Sequence, residues 1–143
     1  MKIKDVLATK GQEVLTIKKS KTTHEAIQML VEHNIGALLV LDSEGKLEGI
    51  ISERDILRES AERDKMLRTT KISQVMTENI IIGLPEDDID YTMGVMTKNR
   101  IRHLPIMENE EVVGIISLGD IVNAQLNERE YDNRYLKQYM FGN

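Results

Sequence analysis

Ser52-x-x-Asp55 and Ser117-x-x-Asp120 are the residues of this chain best placed to do chemistry, and each closes a copy of one phrase. "GIISERDIL" over 49–57 returns as "GIISLGDIV" over 114–122, with Gly, Ile, Ile, Ser, Asp and Ile recurring in the same order. In both copies an apolar run gives way to a helical pattern at the serine. Two chemistries fit that corner. A serine followed three residues later by an acid at a helix start is a capping box. Its hydroxyl accepts from the N3 amide, and the carboxylate accepts from the serine's own amide while favouring the helix dipole. The same corner exposes free amide N–H groups, and a short carboxylate there can accept both hydroxyls of a ribose, a role acidic side chains take in nucleotide sites. The serine hydroxyl donates as well as accepts, which suits a second sugar contact. One carboxylate can serve both roles, because each oxygen has more than one lone pair.

A duplicated motif asks for a duplicated scaffold. "IKDVL" at 3–7 answers "ISQVM" at 72–76, and "NIGALLVL" at 34–41 answers "RIRHLPIM" at 100–107. Each unit then reads as a short strand, 14–17 or 80–84, followed by an amphipathic helix. The helix faces are Ala26, Ile27, Leu30 and Val31 in the first unit and Tyr91, Met93, Val95 and Met96 in the second. Two strands follow, turning at "SEGK" or "ENEE", and a second helix starts at the S-x-x-D corner. Pro105 marks the second unit's strand as a sheet edge; Leu39 is its counterpart in the first unit. Each β-α-β-β-α unit buries too little surface alone, so the two are expected to pack sheet against sheet with pseudo-twofold symmetry, an α+β fold. The expected division is 1–60 for the first repeat, 61–71 for a linker, 72–126 for the second repeat and 127–143 for a helical tail. Tyr131, Tyr135 and Tyr139 would share one face of that tail.

Composition removes several classes of function. The 143 residues carry a net charge of −5, which argues against nucleic acid, and no cysteine, which excludes disulfides and thiol chemistry. The apolar run at 35–41 is too short to span a bilayer, and the segment 1–11 has no apolar leader, so the expectation is a cytoplasmic protein without a membrane partner. His24 and His33 lie at helix ends without ligand spacing, so no metal site is expected. Arg54, in a first helical turn, reads as solvated rather than as a phosphate ligand. His103 is the histidine expected in a cleft. Phosphate loops, nucleophile elbows and H-E-x-x-H are absent, so an enzyme is not expected. Met29, Met93, Met96 and Val95 suggest apolar surface beyond a thin core, hence a homodimer.

With two units each closing in G-h-h-S-x-x-D-h, and "RHLPI" at 102–106, the sequence resembles a tandem CBS-domain pair, or Bateman module, of the small stand-alone type. The resemblance covers the chain apart from linker and tail. It implies adenine-nucleotide binding in clefts between the units, and dimers forming a flat disc, head to head or head to tail. Carried onto this sequence, it implies one cleft with Ser117 and Asp120 on the ribose, Thr16 as a ligand contact, Ile35, Gly36 and Ala37 offering backbone to adenine, and Arg102 and His103 near phosphates. Ser52 and Asp55 would serve a second, weaker cleft in which Gly83 replaces the hydroxyl of Thr16. The expected function is a regulatory sensor of an adenine nucleotide, AMP first because one Arg and one His suit a small charge, with NAD or ATP as alternatives. No catalytic cofactor is implied, and the regulated protein is not legible. The competing reading is a ligand-free interaction scaffold in which both motifs only cap helices.

Overall fold

The first repeat sets its helices by local capping. Thr22 accepts from the Glu25 amide at 3.2 Å while Glu25 accepts from the Thr22 amide at 2.9 Å, which starts α2 (Thr23–His33). Asn34 ends it in the left-handed region, with φ 52°. The computed structural model describes residues 1–11, 13–62 and 67–128. Its order is α1 (Ile3–Lys10), β1 (Thr16–Ile17), α2, β2 (Ala37–Leu41), β3 (Leu47–Ser52) and α3 (Glu53–Glu62). A 3-10 turn (Ile72–Gln74), α4 (Ile89–Lys98), β4 (His103–Glu108) and β5 (Glu111–Ser117) follow, and α5 is helical over 118–128. The linker residues 63–66 and most of the expected tail, with its three tyrosines, lie outside the described residues. Among the described residues no helix is long and apolar enough to cross a membrane.

Strands β1-β2-β3 form one sheet and β4-β5 another, each with an antiparallel pair ending at the S-x-x-D corner: Ala37 faces Ser52, and His103 faces Ser117. The expected strand over 80–84 does not form. It contributes a single bridge, Gly83 to Ile106. Pro105 is the reason. In the first sheet the Leu39 amide donates to the Leu15 carbonyl at 3.2 Å, and proline, standing at the position of Leu39, has no N–H to give. The outer side of β4 therefore meets only Gly83, whose amide donates to Pro105 O at 2.9 Å.

The repeats exchange their leading segments. Ile3, Val6 and Leu7 of α1 are buried with Ile89, Met96, Leu104, Ile106 and Ile116 of the second unit, while Ile72 is buried with Leu38, Val40 and Ile51 of the first. This explains the recurring glycine of the repeated phrase. A Cβ on Gly114 would stand 2.6 Å from Leu7 Cδ2, and one on Gly49 would stand 2.7 Å from Met76 Sδ. Each glycine lets the other repeat's leader lie against the strand.

The helix faces differ from expectation in phase. Val31 is 76% exposed and Tyr91 64% exposed, while Thr23 and Thr92 are buried. Thr23 Oγ1 donates to Thr70 O at 3.0 Å and Thr92 Oγ1 to Asp88 O at 2.9 Å, so each threonine satisfies its hydroxyl and buries its methyl. Met96 is fully buried, and Met29 and Met93 pack against the cores, so the methionines do not provide free apolar surface. Among the described residues, Leu57 on α3 and Val122 and Leu126 on α5 are the large apolar side chains exposed on the helices that leave the two S-x-x-D corners.

Candidate functional site

Two cavities lie where the sheets meet, one beside each S-x-x-D corner, and both corners are complete capping boxes. The Ser117 amide donates to Asp120 Oδ2 at 2.8 Å and the Asp120 amide to Ser117 Oγ at 3.1 Å. At the other corner, the Ser52 amide donates to Asp55 Oδ2 at 2.9 Å and the Asp55 amide to Ser52 Oγ at 3.3 Å. Capping is therefore common to the two sites. What separates them is what the rest of the chain brings to each carboxylate.

The Asp120 cleft has a volume of about 410 Å³, and its lining includes Ile35, Gly36, Ala37, His103, Ser117 and Asp120. Lys10, at the end of the exchanged α1, donates to Asp120 Oδ2 at 2.6 Å and to the Ile115 carbonyl at 2.7 Å. Burial alone would raise the Asp120 pKa, but the Lys10 ammonium and the Ser117 amide outweigh it and hold the carboxyl below its ordinary range. Oδ1 accepts no hydrogen bond from any described residue. The carboxylate is thus ionised, oriented and half available.

The Asp55 cleft, about 370 Å³, is differently built. Asp55 is only 8% exposed, and both of its oxygens are engaged. Oδ2 accepts from Ser52 Oγ at 3.0 Å as well as from the amide, and Oδ1 accepts from Thr77 Oγ1 at 3.1 Å, with Arg58 Nη1 at 3.8 Å. Thr77 is itself fixed by paired backbone bonds to Ile50.

The wall between the clefts is shared. Gly36 and His103 line both, and a Cβ on Gly36 would stand 2.7 Å from Glu53 Oε1 and 2.8 Å from His103 Nε2. Gly36 thus lets the Glu53 carboxylate and the His103 imidazole approach the chain closely. Burial lowers the His103 pKa, opposed by Glu53 and Asp120, with Lys10 and Arg102 adding to the depression.

Three expected placements are corrected. Thr16 does not line the Asp120 cleft; Glu13 and Leu15 do, because alternation along the strand turns Thr16 outward, where it is exposed. Arg102 lines the Asp55 cleft rather than the Asp120 cleft. Gly83 is not the counterpart of Thr16: Ile17 pairs with Val40 as Gly83 pairs with Ile106, which puts Ile82 at the position of Thr16. Gly83 packs instead under Leu104 and Ile106, outside either cleft. Residues missed in the sequence are Lys10 and His33 in the Asp120 cleft, and Thr77, Arg58 and Arg100 in the other. Arg54, read as solvated, also lines the Asp55 cleft.

Two fused repeats, each a helix, an antiparallel strand pair and a second helix with a cleft beside its S-x-x-D corner, define a class of tandem-repeat modules. The profile of the CBS domain matches residues 3–62 and 72–127, and the chain belongs to the CBS-domain family. It is 34% identical, over 98% of its length, to the mitochondrial CBS domain-containing protein CBSX3 of Arabidopsis thaliana, of which it covers 72%. The crystal structure of the CBS-domain containing protein ATU1752 from Agrobacterium tumefaciens matches with a TM-score of 0.85 at 36% identity, covering 87% of this chain and 99% of that one. The CBS domain pair of protein MJ0100, solved with 5′-methylthioadenosine and S-adenosyl-L-methionine, matches with a TM-score of 0.79 at 29% identity, covering 90% and 98%.

Proposed function

We propose that this protein is a regulatory sensor of an adenine nucleotide, held in the Asp120 cleft, and not an enzyme. AMP is the first candidate, with NAD and ATP as alternatives. The observation that carries the reading is the open Oδ1 of an ionised, positioned Asp120 in the lining of a cavity. A ribose needs an acceptor of this kind. Ser117 stands beside it, the Ile35–Ala37 backbone lines the same cavity, and Lys10 and His103 supply cationic or donor groups suited to one phosphate. The adenosine ligands in the MJ0100 complex support the same ligand class. Ligand-free scaffolding is the second reading, favoured by the complete caps at both corners.

We further infer a homodimer associating through α3 and α5, where Leu57 is 72% and Leu126 55% exposed. The test of the sensor reading is thermal unfolding with AMP, NAD and ATP. A ligand at a hundredfold excess over Kd adds about 2.7 kcal/mol of stability. At least one of the three should raise the melting temperature by several degrees and be recovered chemically unchanged. No shift with any of them would leave the scaffold reading, and steady turnover would overturn both.

A further inference from the structure

The exchanged helix α1 is held by its backbone at one end and by a single side chain at the other. At its start the Ile3 amide donates to Asp87 O and the Lys4 amide to Pro85 O, both at 2.9 Å, and the Ile89 amide donates to Met1 O at 3.1 Å. Lys2 and Lys4 both reach Glu86, at 2.9 and 3.0 Å. At its end, among the described residues, the polar ties to the second repeat are those of Lys10, to Asp120 and to the Ile115 carbonyl. The buried stripe of Ile3, Val6 and Leu7 continues on the same face at position 10, so the face that seats the helix ends in an ammonium. Lys10, and Glu13 and Leu15 beyond it, line one cavity. The end of α1 is thus part of the wall of the Asp120 cleft.

The leader of the second repeat supplies the contrast. Thr77 is fixed to Ile50 by backbone bonds of 3.0 and 2.8 Å and meets Asp55 through a short hydroxyl, so its hold on the carboxylate is set by the backbone. Lys10 holds its carboxylate by a long stem that regains rotamer freedom when it lets go, and the ion pair is partly exposed. Asp120 also has reason to give it up. Oδ2 accepts from the Ser117 amide and from Lys10, whereas Oδ1 accepts from no described residue. A vicinal diol brings two hydroxyls side by side and is met best by both oxygens of one carboxylate. The Ser117 amide is fixed by β5 and by the cap, so the donor that yields to the second hydroxyl is Lys10.

We propose that Lys10 is a latch: it seats the end of α1 while the cleft is empty, and a sugar diol that takes both oxygens of Asp120 releases it. The release rests on the reading of the Asp120 cleft as a nucleoside site; the seating does not. Hydrogen exchange of the full chain, read by mass spectrometry, tests both, with adenosine as the probe because it carries the diol and no phosphate. Without ligand, amides over residues 7–11 should exchange about two- to fivefold faster in Lys10→Met, which keeps the stem and loses the ammonium. Asp120→Asn should loosen the same amides, and the double variant should loosen them no further than Lys10→Met alone. Saturating adenosine should loosen them in the wild type, and 2′-deoxyadenosine, which has no diol, should not. Calorimetry adds a sign that a merely structural role would not give. A lysine that only supported the cleft would weaken adenosine binding when lost, whereas loss of a latch that competes with the diol should strengthen it, by about two- to fivefold in Lys10→Met. Unchanged exchange in ligand-free Lys10→Met, or weaker adenosine binding by that variant, would overturn the latch. Adenosine that binds the wild type without loosening α1 would overturn the release. Adenosine that does not bind would overturn the nucleoside reading and the release with it, while the ligand-free comparison still decides the seating.

Discussion

The two S-x-x-D corners share a motif, a cap and a strand-to-helix junction, yet they end as different sites. Asp120 meets the flexible Lys10 and keeps one oxygen open; Asp55 meets Thr77 and Arg58 and has both oxygens engaged. Apart from the bond from Ser52 Oγ to Asp55, the difference arises outside the motif. Each corner is completed by the other repeat's leading segment, α1 in one case and the stretch after the 3-10 turn in the other. A repeated phrase therefore fixes the backbone and the cap, and residues outside the phrase, chiefly those arriving from the other repeat, decide which carboxylate oxygens stay open.

That comparison can be broken at several points. The largest expected effect is on the exchange of leaders. Gly114→Ala drives a Cβ into the buried Leu7 and should cost about 1–3 kcal/mol in denaturant unfolding. Gly49→Ala meets the flexible Met76 at Sδ, with the Thr77 carbonyl no nearer than 3.1 Å, and should cost less. Equal losses would mean that the two leaders are held alike. Association should come next. Light scattering should give about twice the 16.4 kDa chain mass, and Leu57→Glu with Leu126→Glu should return a monomer with little change in melting temperature. If the wild type is already monomeric at tens of micromolar, the α3–α5 face is not an interface.

The shared wall gives a smaller, pH-dependent effect. His103 takes up a proton less readily in the fold than in the unfolded chain, whose ordinary value is 6.5. Below that pH the unfolded chain binds more protons, so this contribution is complete above it and is lost as the pH falls through it. His103→Gln should flatten that part of the stability profile between pH 7 and 5; an unchanged slope would assign it elsewhere. Smallest is the effect of Lys10→Gln on stability, under about 1 kcal/mol, because the ion pair with Asp120 is partly exposed. Its readout is the Asp120 carboxyl, whose titration by NMR should move up toward the ordinary carboxylate range.

The fold was legible because its strongest signals are local and doubled. Gly, Ser and Asp recur in register, and apolar strands precede each corner. Pro105 correctly announced an edge. The helix faces were read out of phase because Thr23 and Thr92 bury methyl groups while looking polar in sequence. The site was legible only in part, for a similar reason of distance. Ser117 and Asp120 belong to the repeat and could be read from it, whereas Gly36 and His103 followed from the family resemblance. Lys10 and Thr77 reach their carboxylates only because the leaders are exchanged, which no local pattern reveals. Arg100 carried a signal that was missed: it stands where the first repeat has a cap asparagine.

The central claim is that the nucleoside is held at Asp120 and not at Asp55. Calorimetric titration of AMP into Asp120→Asn and Asp55→Asn tests it most directly, since both substitutions keep the shape of the side chain and an oxygen that can still cap the helix. A hydrogen bond to a charged acceptor is worth about 1.5–3 kcal/mol. Binding should weaken by about ten- to a hundredfold in Asp120→Asn and by no more than about threefold in Asp55→Asn. Equal weakening, or a greater loss in Asp55→Asn, would contradict the account.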